Sequence, residues 1–289
     1  MRIGTRGSAL ALAQAGAVSN GLGPGHELVL ITTSGDRDRA ALDKERWVRE
    51  LDEALLRGDV DLAVHSAKDV PADLPAGIVI AAVPIRAPAV DALCGAASLD
   101  ALPAGARVGT ASLRREAQLR ALRDDLVVTE LRGNVGTRLQ RLHAGDYDAI
   151  VLALAGLERL ARDEEATGTL PEMVPCAGQG ALLLAARADD EATLTAARHL
   201  DDPATHACLR AEREVVRGLD ADCHTPMGAH ATLDEAGTMT LTAFVGRPDG
   251  GAWLRDTLTV AGGGAAPEAL GAQVAARLVA AGAQEVLGR

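Results

Sequence analysis

The stretch Asp61-Leu62-Ala63-Val64-His65-Ser66-Ala67-Lys68-Asp69-Val70-Pro71 changes character midway. Its first half is a short apolar run, the composition of a buried strand. Its second half is a polar turn closed by a proline. The same change recurs along the chain. Residues 2–5 run into Arg6-Gly7-Ser8, 107–110 into Ala111-Ser112-Leu113-Arg114-Arg115, and 126–131 into Arg132-Gly133-Asn134. Residues 28–33 and 78–83 also read as short strands. Helix-like segments fall between them: 8–20, with Ser8 as its N-cap, and 45–57, where Trp47, Leu51, Ala54 and Leu55 share one face. Strands alternating with helices predict βα units and a largely parallel sheet.

Pro84, Pro88 and the alanines around them mark a crossing into a second lobe, where the pattern restarts. Residues 107–110, 126–131 and 148–153 read as its strands, and Val135, Leu139 and Leu142 as one helix face. A second break spans 170–180, with Pro171, Pro175, Gly178 and Gly180, before another strand at 181–186. Residues 203–218 form a helix candidate with Cys208, Ala211 and Val215 on one side. The tail differs: 239–245 and 253–260 alternate like antiparallel strands, and 266–287 reads as one amphipathic helix carrying Leu270, Val274 and Leu278. The fold class expected is α/β, with two α/β lobes and a smaller C-terminal α+β lobe. Ligands of such folds bind in the cleft between lobes, outside strand C-termini and at helix N-termini.

Composition narrows the function. The chain has 289 residues and a net charge of −11, which argues against a nucleic-acid surface, because phosphate neutralisation needs a basic patch. The only aromatics are Trp47, Tyr147, Phe244 and Trp253, too few for base-stacking platforms. No run of about 18 apolar residues suggests a membrane span, and the N-terminus lacks the pattern of a secretory signal. Cys94, Cys176, Cys208 and Cys223 form no C-x-x-C pair, so reduced thiols in a cytoplasmic protein are expected. Cys94, Cys176 and Cys208 are expected to pack as small apolar residues. Arginine outnumbers lysine 27 to two. Codon bias explains the total but not why Lys44 and Lys68 stayed lysine, and Arg does not replace a compact ammonium in a tight site without cost.

Five segments concentrate polar residues just past strands: 2–8, 65–71, 109–115, 131–138 and 178–180. In the first four a strand gives way to a helix near Gly, Ser, Thr or Asn, where free backbone amides and the helix dipole favour anions. Arginines there add bidentate recognition of carboxylate or phosphate. Any one segment reads better as a helix cap with solvated arginines; four together favour a polyanion-binding cleft. Asp69 reads either as a catalytic carboxylate or as half of a surface ion pair. Cys223, in a polar loop, reads as a nucleophile, a ligand, an attachment point or an unremarkable thiol. With His206, Cys208, His224 and His230 its spacing matches no regular zinc pattern, so no metal is expected.

In order and nearly end to end, these segments resemble the porphobilinogen deaminase family. The residues that carry the resemblance are His65 to Pro71, Gly109 to Arg115, Leu131 to Leu139, Ala177-Gly178-Gln179-Gly180-Ala181 and the Cys223 loop. The resemblance implies two type II periplasmic-binding-protein-like domains plus a third, with boundaries at 1–86 and 177–198, 87–176, and 199–289. It implies a transferase of tetrapyrrole (haem) biosynthesis that joins four porphobilinogen molecules head to tail, with loss of ammonia, into hydroxymethylbilane. The product grows on a dipyrromethane cofactor held by a thioether at Cys223. By the same resemblance Asp69 is the catalytic carboxylate, stabilising the cationic azafulvene formed as ammonia leaves. Arg6, Ser8, Lys68, Thr110, Ser112, Arg114, Arg115, Arg132, Arg138 and Gln179 bind cofactor or substrate carboxylates. Lys44 and Trp47 align with a mobile lid, but the glycines usual there are missing, which suggests a stiffer segment. The only expected partner is the substrate porphobilinogen, with no nucleic acid and no membrane, and the protein is expected to be a monomer.

Overall fold

The computed structural model describes residues 1–33, 48–222, 224–261 and 266–289. Lys44, Trp47 and Cys223 lie outside the described residues. The chain opens with β1 (Arg2–Thr5), β2 (Glu27–Leu30), β3 (Leu62–Ser66) and β4 (Ile78–Ala82). It crosses to β5 (Asp91–Cys94), β6 (Arg107–Gly109), β7 (Val127–Thr129), β8 (Ala149–Ala153) and β9 (Gly168–Leu170). It returns for β10 (Leu182–Arg187) and ends in β11 (Met227–Leu233), β12 (Met239–Gly246) and β13 (Trp253–Val260). Between them lie α1 (Ala9–Leu22), α2 (Arg49–Arg57), α3 (Leu113–Leu122), α4 (Val135–His143), α5 (Leu154–Glu158), α6 (Glu191–Ala197), α7 (Pro203–Gly218), α8 (Pro267–Ala280) and α9 (Ala283–Val286).

The first two sheets share one plan. Their orders are β2-β1-β3-β10-β4 and β7-β6-β8-β5-β9. In the first, β1 runs parallel to β2 and β3, and β10 runs against both β3 and β4. In the second, β6 runs parallel to β7 and β8, and β5 runs against β8 and β9. Each sheet is therefore largely parallel with one reversed strand, and that strand follows directly on a crossing between lobes. These are two α/β lobes of one shared plan, with a smaller C-terminal lobe.

The apolar runs reflect burial on both faces. Leu62 and Val64 of β3 pack with Leu182 and Leu184 of β10 and with Ala15 and Val18 of α1. Ala63, Leu183 and Ala185 face the other way, onto Leu51, Ala54 and Leu55 of α2. In the third lobe β11-β12-β13 form an antiparallel sheet. Its inner face packs on Cys208, Ala211 and Val215 of α7 and on Leu270, Val274 and Leu278 of α8. Three strands were not expected from sequence: β5, β9 and β11. The single helix expected over 266–287 is two, because Gly282 takes a left-handed φ of 96° between α8 and α9.

The two crossings touch. Ala87 N donates to Gly180 O at 3.2 Å. Gly180 has φ +84°, and a Cβ there would lie 2.3 Å from Ala87 O. Among the described residues no helix is long and apolar enough to cross a membrane.

Candidate active site

The three lobes meet around a cavity of about 450 Å³. Lys68 and Asp69 line it from the loop after β3, Ser112 and Arg114 from the start of α3, and Arg213 from α7. Asp222 and His224, the chain neighbours of Cys223, complete the wall.

Local structure explains the loop. β3 ends in a single 3-10 turn, Ala67–Asp69, whose Ala67 N donates to Ala181 O at 3.0 Å. Gly178, with φ +73°, lies so close that a Cβ would stand 2.8 Å from the Ala67 carbonyl carbon and from Lys68 N. The return crossing thus lies against the Ala67–Lys68 peptide. On the opposite wall Ser112 caps α3, its side chain accepting from Arg115 N. Thr110 Oγ1 in turn accepts from Ser112 N at 3.1 Å. The first amides of α3 are thereby presented at the cavity edge, where a helix start favours anions.

Behind this wall sits Asp91, fully buried at the head of β5. Arg114 Nη2 reaches its Oδ2 at 2.8 Å. Arg115 donates Nη2 and Nε to its Oδ1 at 2.8 and 3.1 Å, and Gln179 donates Nε2 to the same oxygen at 2.8 Å. Burial alone would push the Asp91 carboxyl up; the two guanidiniums and Gln179 outweigh it and hold it well below the usual carboxylate range. Arg115 and Gln179 therefore support Arg114 from behind and direct these donors inward. Arg114 keeps a buried Nε with no acceptor among the described residues.

The other expected binding residues lie outside the described cavity wall. Ser8 caps α1, accepting from Ala11 N at 3.2 Å. Thr110 is buried. Arg132 donates to Glu130 at 2.7 Å. Arg138 donates to Gly133 O at 2.8 Å, and burial together with Arg115 pulls its guanidinium down to about 10. Arg6 and Asp69 both act on His65, a buried ring in β3. Burial brings His65 down to about 4, with Asp69 opposing and Arg6 adding to that shift. His65 Nε2 stands 4.0 Å from Asp52 Oδ1, and burial pushes the Asp52 carboxyl up to about 6.

Sequence reading missed a second buried carboxylate, Glu212 of α7. It receives Arg86 Nη1 at 2.6 Å, Gly178 N at 2.7 Å and Ala231 N at 2.8 Å, with His230 Nδ1 3.3 Å away. Burial opposes its charge, but Arg86 and His230 bring the carboxyl down to about 2. Glu212 thus ties both crossings to the third lobe. Cys94 and Cys208 are buried, and burial pushes their thiols up to about 12 and 11, so they stay protonated. Cys176, expected only to pack, is half-buried on the cavity wall.

The chemistry available is specific. Lys68 and Arg114 offer cationic donors for carboxylates, and Asp69 offers one half-buried carboxylate for N–H groups or developing positive charge. Arg114 Nε is a buried donor without an acceptor among the described residues. This donor set fits a dipyrromethane bearing carboxylates, next to the chain position of Cys223.

Two lobes closing with a third over such a cavity define a cleft protein built for an anionic ligand. A sequence profile described as "Porphobilinogen deaminase, dipyromethane cofactor binding domain" matches residues 1–195, and one described as "Porphobilinogen deaminase, C-terminal domain" matches residues 206–280. The chain belongs to the porphobilinogen deaminase family. A porphobilinogen deaminase of Brevibacillus brevis is 44% identical over 303 residues, covering 99% of this chain and 96% of that protein. One of Rubrobacter xylanophilus is 46% identical over 301 residues, with the same two coverages. Among solved structures, a periplasmic substrate-binding protein of an ABC transporter from Coxiella burnetii is similar at TM-score 0.39 and 19% identity, covering 71% of this chain and 94% of that one.

Proposed function

We propose that this chain joins four porphobilinogen molecules head to tail, with loss of ammonia, into hydroxymethylbilane. One observation carries this reading: a single cavity collects Lys68 and Asp69, the start of α3 with Ser112 and Arg114, and both neighbours of Cys223. When bound as a thioether at Cys223, a dipyrromethane supplies the primer on which the product is built. Lys68 and Arg114 hold carboxylates of the bound pyrroles, and Asp91, Arg115 and Gln179 keep Arg114 in place. Arg6, Ser8, Thr110, Arg132 and Arg138 serve carboxylates beyond the cavity wall.

Asp69 faces the pyrrole N–H and stabilises the positive charge that develops on the substrate as ammonia departs. A carboxylate on a rigid turn needs no reorganisation when that charge appears. The lobes correspond to residues 1–86 with 177–198, 87–176, and 199–289, a division supported by sheet membership. The protein works as a cytoplasmic monomer with porphobilinogen as its partner; the unpaired Cys94, Cys176 and Cys208 suit a reducing compartment. Ammonia release from porphobilinogen tests the reading. Wild type should turn over, and Asp69→Ala should lose about a hundredfold or more. Turnover in Asp69→Ala within a few-fold of wild type would remove Asp69 from the reaction.

A further inference from the structure

The turn that carries Asp69 is gripped from the third lobe. Leu209, Arg213, Val216 and Arg217 share one face of α7 by their three- and four-residue spacings. Leu209 is buried in the core of the first lobe with Ala67 and Val70, on either side of Lys68 and Asp69. One helical turn on, Arg213 Nη2 donates to Pro71 O at 2.7 Å and to Ala72 O at 2.8 Å. Arg217 adds Nη2 to Ala72 O at 2.7 Å and Nε to Asp73 at 2.8 Å. These bonds converge on the segment directly after Asp69, while Gly178 packs closely on Ala67 and Lys68.

Arg213 is an expensive way to make such a contact. It is only 6% exposed, and its Nη2 is held by neutral carbonyls. Burial pulls its guanidinium down to about 10, and its Nη1 has no acceptor among the described residues. A desolvated cation with an orphaned donor costs the fold free energy. A feature that costs stability on the wall of the site points to function.

We propose that Arg213 is a positioning residue for Asp69, locking the 70–73 segment to α7 so that the carboxylate keeps a fixed place relative to the Cys223 loop that follows this helix. The inference rests on the reading of Asp69 as the group that meets the substrate. Its consequence is that the first and third lobes act as one body at the reacting bond, and a growing product is accommodated elsewhere in the cleft.

The test compares cofactor-loaded Arg213→Met, Arg213→Lys, Arg217→Gln and Asp69→Ala in steady-state porphobilinogen turnover. A displaced catalytic group lowers kcat and leaves ground-state binding intact. Arg213→Met should lose about tenfold or more in kcat, with KM within about twofold of wild type, and Arg213→Lys should recover at least about threefold of that loss. Arg213→Met with kcat within about twofold of wild type would overturn the inference, as would a raised KM at unchanged kcat. Should Arg213→Met fail to fold, Arg217→Gln removes the outer bonds to the same segment; a fall in kcat of about threefold supports the inference, and an unchanged kcat overturns it. Active Asp69→Ala defeats the underlying reading of Asp69. Inactive Asp69→Ala beside fully active Arg213→Met defeats only the positioning role.

Discussion

Asp91 carries more of this site than its short side chain suggests. Both oxygens are engaged by Arg114, Arg115 and Gln179, and none of the four residues is more than 5% exposed. Asp91→Asn would leave two guanidiniums buried beside a neutral amide. Breaking a buried ionic cluster from one side costs about 3–5 kcal/mol, so the chemical-denaturation midpoint should fall clearly; an unchanged midpoint would mean that solvent or rearrangement compensates the arginines. Lys68, Asp69, Ser112 and Arg114, which line the cavity, stood out in the sequence because each follows an apolar strand within a few positions. Asp91, Glu212 and Arg213 were not. Arg86 meets Glu212 from 126 positions away and Arg213 meets Pro71 from 142, separations that leave no local pattern. Arg115 and Gln179 were picked out by position, but sequence could not show that they face inward.

At the scale of elements, β3, β4, β8 and β10 stood out because both faces of their sheets are covered, which favours apolar runs. β9 has only Gly-Thr-Leu, and β11 is rich in Gly and Ala, so neither carries strand composition of its own. β11 exists because seven of its residues pair with β12 in continuous register. The amphipathic pattern of 266–287 survives across Gly282, so periodicity alone could not show the break. Gly180 belongs to this scale, since it sets how closely the crossings approach. Gly180→Ala forces a side chain onto φ +84° and against Ala87 O. It should cost at least about 1 kcal/mol in stability. Gly16→Ala, within α1 and with nothing within 4 Å of its added Cβ, should instead stabilise by up to about 1 kcal/mol. Equal effects of the two changes in thermal denaturation would refute this account of the crossing.

For the whole molecule, three lobes share one junction. Glu212 joins the outgoing crossing through Arg86, the return crossing through Gly178 and the third lobe through Ala231. The cavity lies beside it, with Lys68, Arg114 and Arg213 on its wall in a chain whose net charge is −11. That local reversal of sign is what a site for many carboxylates requires. The two-lobe plan was legible in the repeated strand-to-turn pattern, whereas the meeting of all three lobes at one cavity depends on contacts made only in the folded chain. The central claim is that this cavity houses a dipyrromethane joined to Cys223. The intact mass of the denatured protein, measured after incubation with porphobilinogen for wild type and Cys223→Ser, tests it most directly. The account predicts that wild type gains the mass of at least two condensed pyrrole units and that Cys223→Ser keeps its bare polypeptide mass. A bare wild-type mass after incubation, or the same added mass on Cys223→Ser, would contradict it.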